Sequence, residues 1–122
     1  MRWLVNSNQW LRDQVGPHSL MKCGWGNGYI TIHPKHPWFN VPYMDIDVDV
    51  HYGLTFGSVI EEETIGFFDA LTEKDIGYYM IGFDTNHYDD DLTKWPKERV
   101  EREAQRLLEQ ALSFNGKYNF LI

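Results

Sequence analysis

The sequence predicts a single α+β domain spanning residues 1–122, with a mainly antiparallel sheet of about four or five strands packed against one long C-terminal helix, plus a short N-terminal helix. Three observations predict it. Strict polar/apolar alternation runs through Asp45-Ile46-Asp47-Val48-Asp49-Val50-His51, the signature of a strand with one packed and one wet face. A second alternating run covers Gly77 to Asn86, and a helical stripe from Pro96 to about Ser113 carries Val100, Ala104, Leu107, Leu108, Ala111 and Leu112 on one side.

From the N-terminus, residues 2–5 suit a short strand, and Asn6 or Ser7 can cap a helix that extends to Val15 and ends at Gly16-Pro17, anchored by Trp10 and Leu11. Residues 20–23 and 29–33 look like strand fragments joined through Gly24-Trp25-Gly26-Asn27-Gly28, which reads as a hairpin connection. No Lys-Ser/Thr pair and no helix follow these glycines, so the loop lacks the parts of a nucleotide-phosphate cradle. From His33 to Tyr43 three prolines exclude both a helix and a central strand, leaving a stiff loop that delivers His33, His36, Trp38 and Tyr43 just ahead of the acidic run. These side chains either pack the loop on the core or wall a site.

The acidic strand is expected to continue to about Phe56, with Gly53 at a bulge, and Glu61-Glu62-Glu63 suits a solvated turn or a helix entry. In the second strand Tyr79, Ile81, Phe83 and Thr85 form one side and Tyr78, Met80, Gly82, Asp84 and Asn86 the other. If the two alternating strands pair, Asp84 shares a face with Asp47 and Asp49, a register that a one-residue slip would reverse. His87 to Asp91 then leaves the sheet, Thr93 is the expected N-cap of the long helix, Asn115-Gly116 stops it, and Tyr118 to Ile122 reads as a last strand.

Composition narrows the function classes. The formal net charge is −7, which argues against direct nucleic-acid binding, because affinity for a phosphate backbone comes from Lys and Arg. With Cys23 as the one cysteine no intramolecular disulfide can form, and a reducing cytoplasm is the natural compartment. No run approaches the ~20 apolar residues of a membrane span. Five Trp, seven Tyr and seven Phe exceed what so small a core ordinarily uses, so some rings are expected at a groove or an interface, and a homodimer is consistent with that surplus.

Asp47, Asp49, His51 and Asp84 form a mixed oxygen and nitrogen donor set that suits a divalent metal, Mg²⁺, Mn²⁺ or Zn²⁺, although no closed zinc or calcium motif is present. With a metal, the chemistry would be activation of water against a phosphoester or amide. Without one, His51 or His87 could act as general base oriented by Asp49 or Asp84, giving Asp49, His51, Asp84 and His87 as candidate catalytic residues. The competing reading of Asp84 is an Asx turn that fixes the strand exit. A non-catalytic alternative is a binding module: Asp45, Asp47, Asp49, Asp89, Asp90 and Asp91 would meet a basic partner protein, or Trp25, His36, Trp38 and Tyr43 would hold a small nucleotide-like ligand.

Gly28-Tyr29-Ile30 before the His36-Pro37 loop, the run Asp47 to Phe56, Ile81-Gly82-Phe83-Asp84-Thr85-Asn86-His87 and the acidic stretch entering the last helix together cover most of residues 28 to 112. In these pieces the chain resembles a group of small uncharacterised proteins encoded by phages, prophages and related mobile elements. That group usually has His-Gly-Gly where this chain has His51-Tyr52-Gly53. The resemblance implies a phage accessory protein of the bacterial host cytoplasm and supplies no chemistry; the residues themselves are read as a binding module for a host protein or small nucleotide-like ligand, with a metal-dependent hydrolase as the alternative. The resemblance singles out Asp49, His51, Asp84 and His87, which match the polar positions of the shared motifs.

Overall fold

The computed structural model describes residues 1–15 and 23–114 and shows an α+β fold. Four antiparallel strands, β1 (Trp3–Ser7), β2 (Gly26–Ile32), β3 (Phe56–Val59) and β4 (Tyr79–Phe83), lie in the order β1-β2-β4-β3. Helices α1 (Gln9–Val15), α2 (Glu62–Ile65) and α3 (Lys97–Ser113) complete the architecture. The register sets Trp3 opposite Ile30, Ile30 opposite Ile81 and Phe56 opposite Gly82.

Both faces of the sheet are covered, which is why all five residues of β4 are buried. On one face Ile30, Ile32, Tyr79, Ile81 and Phe83 pack with Val100, Ala104, Leu107 and Ala111 of α3, the stripe that helical periodicity marks. On the other, Leu4, Tyr29 and Met80 pack with Ile60 and Leu71, supported by Phe56 of β3 and by Ile65 and Phe68 from the segment around α2. That segment enters its helix through a capping box in which Glu61 and Thr64 satisfy each other's backbone N–H groups.

Several sequence expectations are corrected. Asp45 to Thr55 is not a strand, and β3 begins only at Phe56: Asp45 closes a 3-10 turn, and residues 46–50 have no ladder partner. The alternation is nevertheless physical. Ile46 and Val50 are buried in the α3-side core while Asp45, Asp47 and Asp49 face outward. Side chains of α3 replace the missing strand. The Asp49 N–H donates to Gln110 Oε1 at 2.9 Å, Gln110 Nε2 donates to the Asp49 carbonyl at 2.7 Å, and the His51 N–H donates to Glu103 Oε2 at 2.8 Å. β4 therefore pairs with β2 and β3, and the pairing that would have brought Asp84 to the face of Asp47 and Asp49 does not form.

The glycine loop is also different. Gly26 and Gly28 lie inside β2, where a Cβ on Gly28 would collide with the Phe83 ring, so the residue buys close approach within the sheet rather than a turn. Trp10 is 69% exposed and does not anchor α1, whose first turn is tied instead by the Ser7 hydroxyl accepting the Gln9 N–H at 3.0 Å. The cap of α3 is Pro96 rather than Thr93, because Asp91 captures the Lys94 N–H at 2.8 Å and spends Thr93 in the preceding turn. The strand expected at residues 20–23 falls on residues outside those described except for Cys23, which is buried and not in a strand; Gly16-Pro17, the Asn115-Gly116 stop and the strand Tyr118 to Ile122 also lie outside them.

Candidate functional site

The chain that leaves β4 turns back at once. Asp84 accepts the Asn86 N–H at 3.0 Å, an Asx turn, and the Asp90 N–H donates to the His87 carbonyl at 2.9 Å, closing a second turn. This second turn drives the Asp90 side chain inward, where the residue is 2% exposed. A buried carboxylate must be fully hydrogen-bonded, and Asp90 is. It accepts from His51 Nε2 at 2.9 and 3.1 Å, from His87 Nδ1 at 2.8 Å and from the His87 backbone N–H at 3.0 Å. Because a carboxylate only accepts, both imidazoles present N–H to it, and each has its other nitrogen directed elsewhere.

The remaining walls hold the two rings in place. His51 lies against Trp95 with ring centroids 4.1 Å apart, and Tyr52 stacks on His87 at 3.9 Å and 11°. Tyr52 has φ of 56° in the turn closed by the Gly53 N–H on the Val50 carbonyl, a conformation that costs a bulky residue and suits a glycine. Its hydroxyl donates to Asp89 at 2.9 Å. That hydrogen bond raises the Tyr52 pKa and lowers that of Asp89. Beyond His87, Asp84 Oδ1 stands 3.7 Å from Nε2, too far for a hydrogen bond and close enough for electrostatic support.

One ligand atom each from His51, His87 and Asp90 lies within 4.8 Å of the others, a group able to hold a metal ion. The fold brings His51 and His87 together and sets Asp84 at the rim. Asp49 lies elsewhere, as an exposed carboxylate 3.0 Å from Arg106 Nη1. Asp47 is exposed on the extended segment. Sequence reasoning put Asp90 in an acidic surface and missed it as the central carboxylate. The available signal was its place three residues after His87, the spacing at which an Asp side chain reaches back to a backbone N–H.

The aromatic and histidine residues considered for a small ligand are dispersed. His36 is 3% exposed, with Nδ1 accepting the Trp38 N–H at 3.0 Å and Nε2 donating to the Ala111 carbonyl at 2.8 Å, so both nitrogens are bound to backbone. Burial lowers its pKa, against the upward pull of the Ala111 carbonyl. Trp38 is buried beside it, Tyr43 begins the 3-10 turn, and Trp25 lies under Lys97 Nζ at 5.5 Å near the opposite end of α3.

No protein family, curated protein or solved structure matches the chain. Among the described residues no helix is long and apolar enough to cross a membrane.

Proposed function

We infer that the protein binds a divalent metal through His51, His87 and Asp90 and uses it for hydrolysis. One observation carries the reading: two half-buried imidazoles converge on a single buried carboxylate, with donor atoms 2.8 to 3.1 Å from it. Around a tetrahedral ion with ligand bonds of about 2.0–2.1 Å, ligand atoms sit roughly 3.3 Å apart, so Asp90 and each imidazole, now 2.8 to 2.9 Å apart, would need to open by only about half an ångström, and the two imidazole nitrogens lie within 4.8 Å of each other. Three protein ligands also leave a position free, the count that distinguishes catalytic from structural sites.

The residues fit the chemistry in other respects. A bound metal would take the lone pair of the nitrogen that now points its N–H at Asp90, so each neutral imidazole would carry its single proton on the far nitrogen instead. For His87 that nitrogen is Nε2, facing Asp84, and a carboxylate behind a ligating histidine fixes its orientation and raises its basicity. A bound ion of this kind would supply hydroxide at neutral pH. The resemblance to phage accessory proteins remains part of the proposal for biological context, with the bacterial host cytoplasm as the setting. Docking on a basic partner is the weaker reading, because Asp90 is buried and Asp49 is already paired with Arg106.

Protein purified without a metal-affinity step, dialysed against Zn²⁺ and then against metal-free buffer, should retain about one equivalent by elemental analysis. His87→Ala should lose it, whereas Asp47→Ala should keep it. Wild-type protein that retains no metal after loading with Zn²⁺, Mn²⁺ or Mg²⁺ overturns the proposal.

A further inference from the structure

Three of the five arginines in this acidic chain, Arg99, Arg102 and Arg106, fall at i, i+3 and i+7 on α3. They line one open cleft of about 340 Å³ together with Trp95 and Glu103. Like charges three and four residues apart repel on a helix surface, and cations near a helix N-terminus oppose its dipole. The arrangement is therefore unfavourable for the helix itself and calls for counter-charges.

Arg106 has them. It donates to Glu103 at 2.8 and 3.2 Å and to Asp49 at 3.0 Å, and the Glu103 bond first, with Asp49 behind it, raises its pKa further. The other two do not. The Arg99 guanidinium lies over the Trp95 indole at 4.0 Å and donates Nη1 to the Lys94 carbonyl at 2.7 Å, so it is pinned in place without a carboxylate. Arg102 is exposed and makes no hydrogen bond or ion pair among the described residues, although Glu98 stands one turn earlier in the helix. Trp95 then lies on the His51 ring, and Glu103 holds the His51 N–H. The cleft and the His51–His87–Asp90 site thus share a wall.

The geometry points to a phosphoryl-binding cleft in which Arg99 and Arg102 hold the phosphoryl group of a small phosphoester beside the His51–His87–Asp90 site. Two guanidinium forks match the charge and the multiple acceptor oxygens of a phosphoryl group better than those of a single carboxylate. A polyanion such as RNA does not suit the surroundings, since the protein carries −7 overall and the exposed Asp49 is paired with Arg106 at the cleft. The inference names the substrate class of the hydrolytic site and rests on that reading for the reaction, though not for the anion binding. In the reaction a water oxygen bonds to phosphorus, the ester P–O bond breaks, and the departing alkoxide takes the proton that water releases.

The test uses metal-free protein in EDTA, titrated with inorganic phosphate at constant ionic strength and followed by calorimetry. Saturable binding at one site is expected. Arg102→Gln, which removes no hydrogen bond or ion pair among the described residues, should weaken it about tenfold or more, and Arg102→Lys should restore part of the loss. Lys35→Gln makes the same change in net charge on another part of the surface and should leave binding unchanged. Absence of saturable binding, or an equal loss in Lys35→Gln, overturns the cleft. So does a single-stranded oligonucleotide that binds more tightly and is not displaced by phosphate. Metal retention, measured on separate EDTA-free protein after dialysis against Zn²⁺ and then metal-free buffer, separates the two proposals: phosphate binding in EDTA together with no retained Zn²⁺ leaves the cleft and removes the hydrolytic reading, and retained Zn²⁺ without phosphate binding removes the cleft alone.

Discussion

Helix α3 holds imidazoles near both of its ends and uses them in opposite ways. Near the C-terminal end His36 is spent on backbone, one nitrogen taking the Trp38 N–H and the other giving to the Ala111 carbonyl, under Trp38 and Phe114. Near the N-terminal end the rings of His51 and His87 meet no backbone acceptor among the described residues. Each gives one nitrogen to Asp90, which is itself buried and anchored by the turn it closes. A histidine satisfied by two backbone groups is a bolt. A histidine held by a carboxylate is oriented and keeps a nitrogen for chemistry. The residues 46–50 join the two ends, running along α3 from the 3-10 turn to His51.

Removing Asp90 should break the comparison most severely. Asp90→Ala leaves two ring N–H groups and one backbone N–H facing a site that was buried, and losing one partner of a buried charged network costs on the order of 3–5 kcal/mol. Asp90→Asn keeps the volume and one acceptor and should cost about 1–3 kcal/mol. Urea denaturation of both variants checks the order. An Asp90→Ala loss below about 1 kcal/mol would mean that the carboxylate does not hold the imidazoles.

How much of this was legible in sequence follows from what each pattern encodes. The stripe Val100, Ala104, Leu107, Ala111 identified α3 because a helix closes its hydrogen bonds locally, so the burial period and the element coincide. The alternation from Ile46 to Val50 encoded burial equally well but not its partner, and Gln110 and Glu103 met the backbone needs that a neighbouring strand would have met. Gly26 and Gly28 read as a turn because close packing and positive φ leave the same mark. At the site, His51 was legible as a polar residue on the wet face of the alternating run and His87 as the residue just past the second run. Asp90 was not, because Asp89, Asp90 and Asp91 are equivalent until the turn onto His87 buries the middle one.

The two kinds of histidine should separate by mutation. His36→Ala empties a buried position and strands two backbone groups, which should cost about 2–3 kcal/mol while leaving metal retention intact. His87→Ala should cost about 1 kcal/mol, since its side chain is 22% exposed, and should abolish metal retention. The pH dependence sharpens the contrast. The folded-state pKa of His36 lies below its ordinary value of 6.5, so the unfolded chain binds the proton more readily. The His36 contribution is thus fully present above about pH 6.5 and is lost as pH falls through the folded-state pKa. Stability curves for wild type and His36→Gln should converge as pH drops below that point, and parallel curves would show that His36 is not held neutral.

The smallest effect concerns Tyr52, the one bulky residue at the site that occupies glycine-like backbone, φ of 56°. Left-handed geometry costs a non-glycine residue about 1–2 kcal/mol, and the stack on His87 offsets it, an aromatic pair being worth about 0.5–1.5 kcal/mol. Tyr52→Gly relieves the first term and removes the second, so stability should change by less than about 1 kcal/mol. Tyr52→Ala keeps the strain and loses the stack, and should fall below Tyr52→Gly by roughly the left-handed penalty, about 1 kcal/mol. Thermal or urea melts of the three proteins give that difference directly. If glycine and alanine destabilise equally, the turn has relaxed to another conformation and the stack alone set its shape. If glycine matches wild type while alanine does not, the ring compensates for a backbone that suits glycine, and its remaining task is to keep His87 turned toward Asp90.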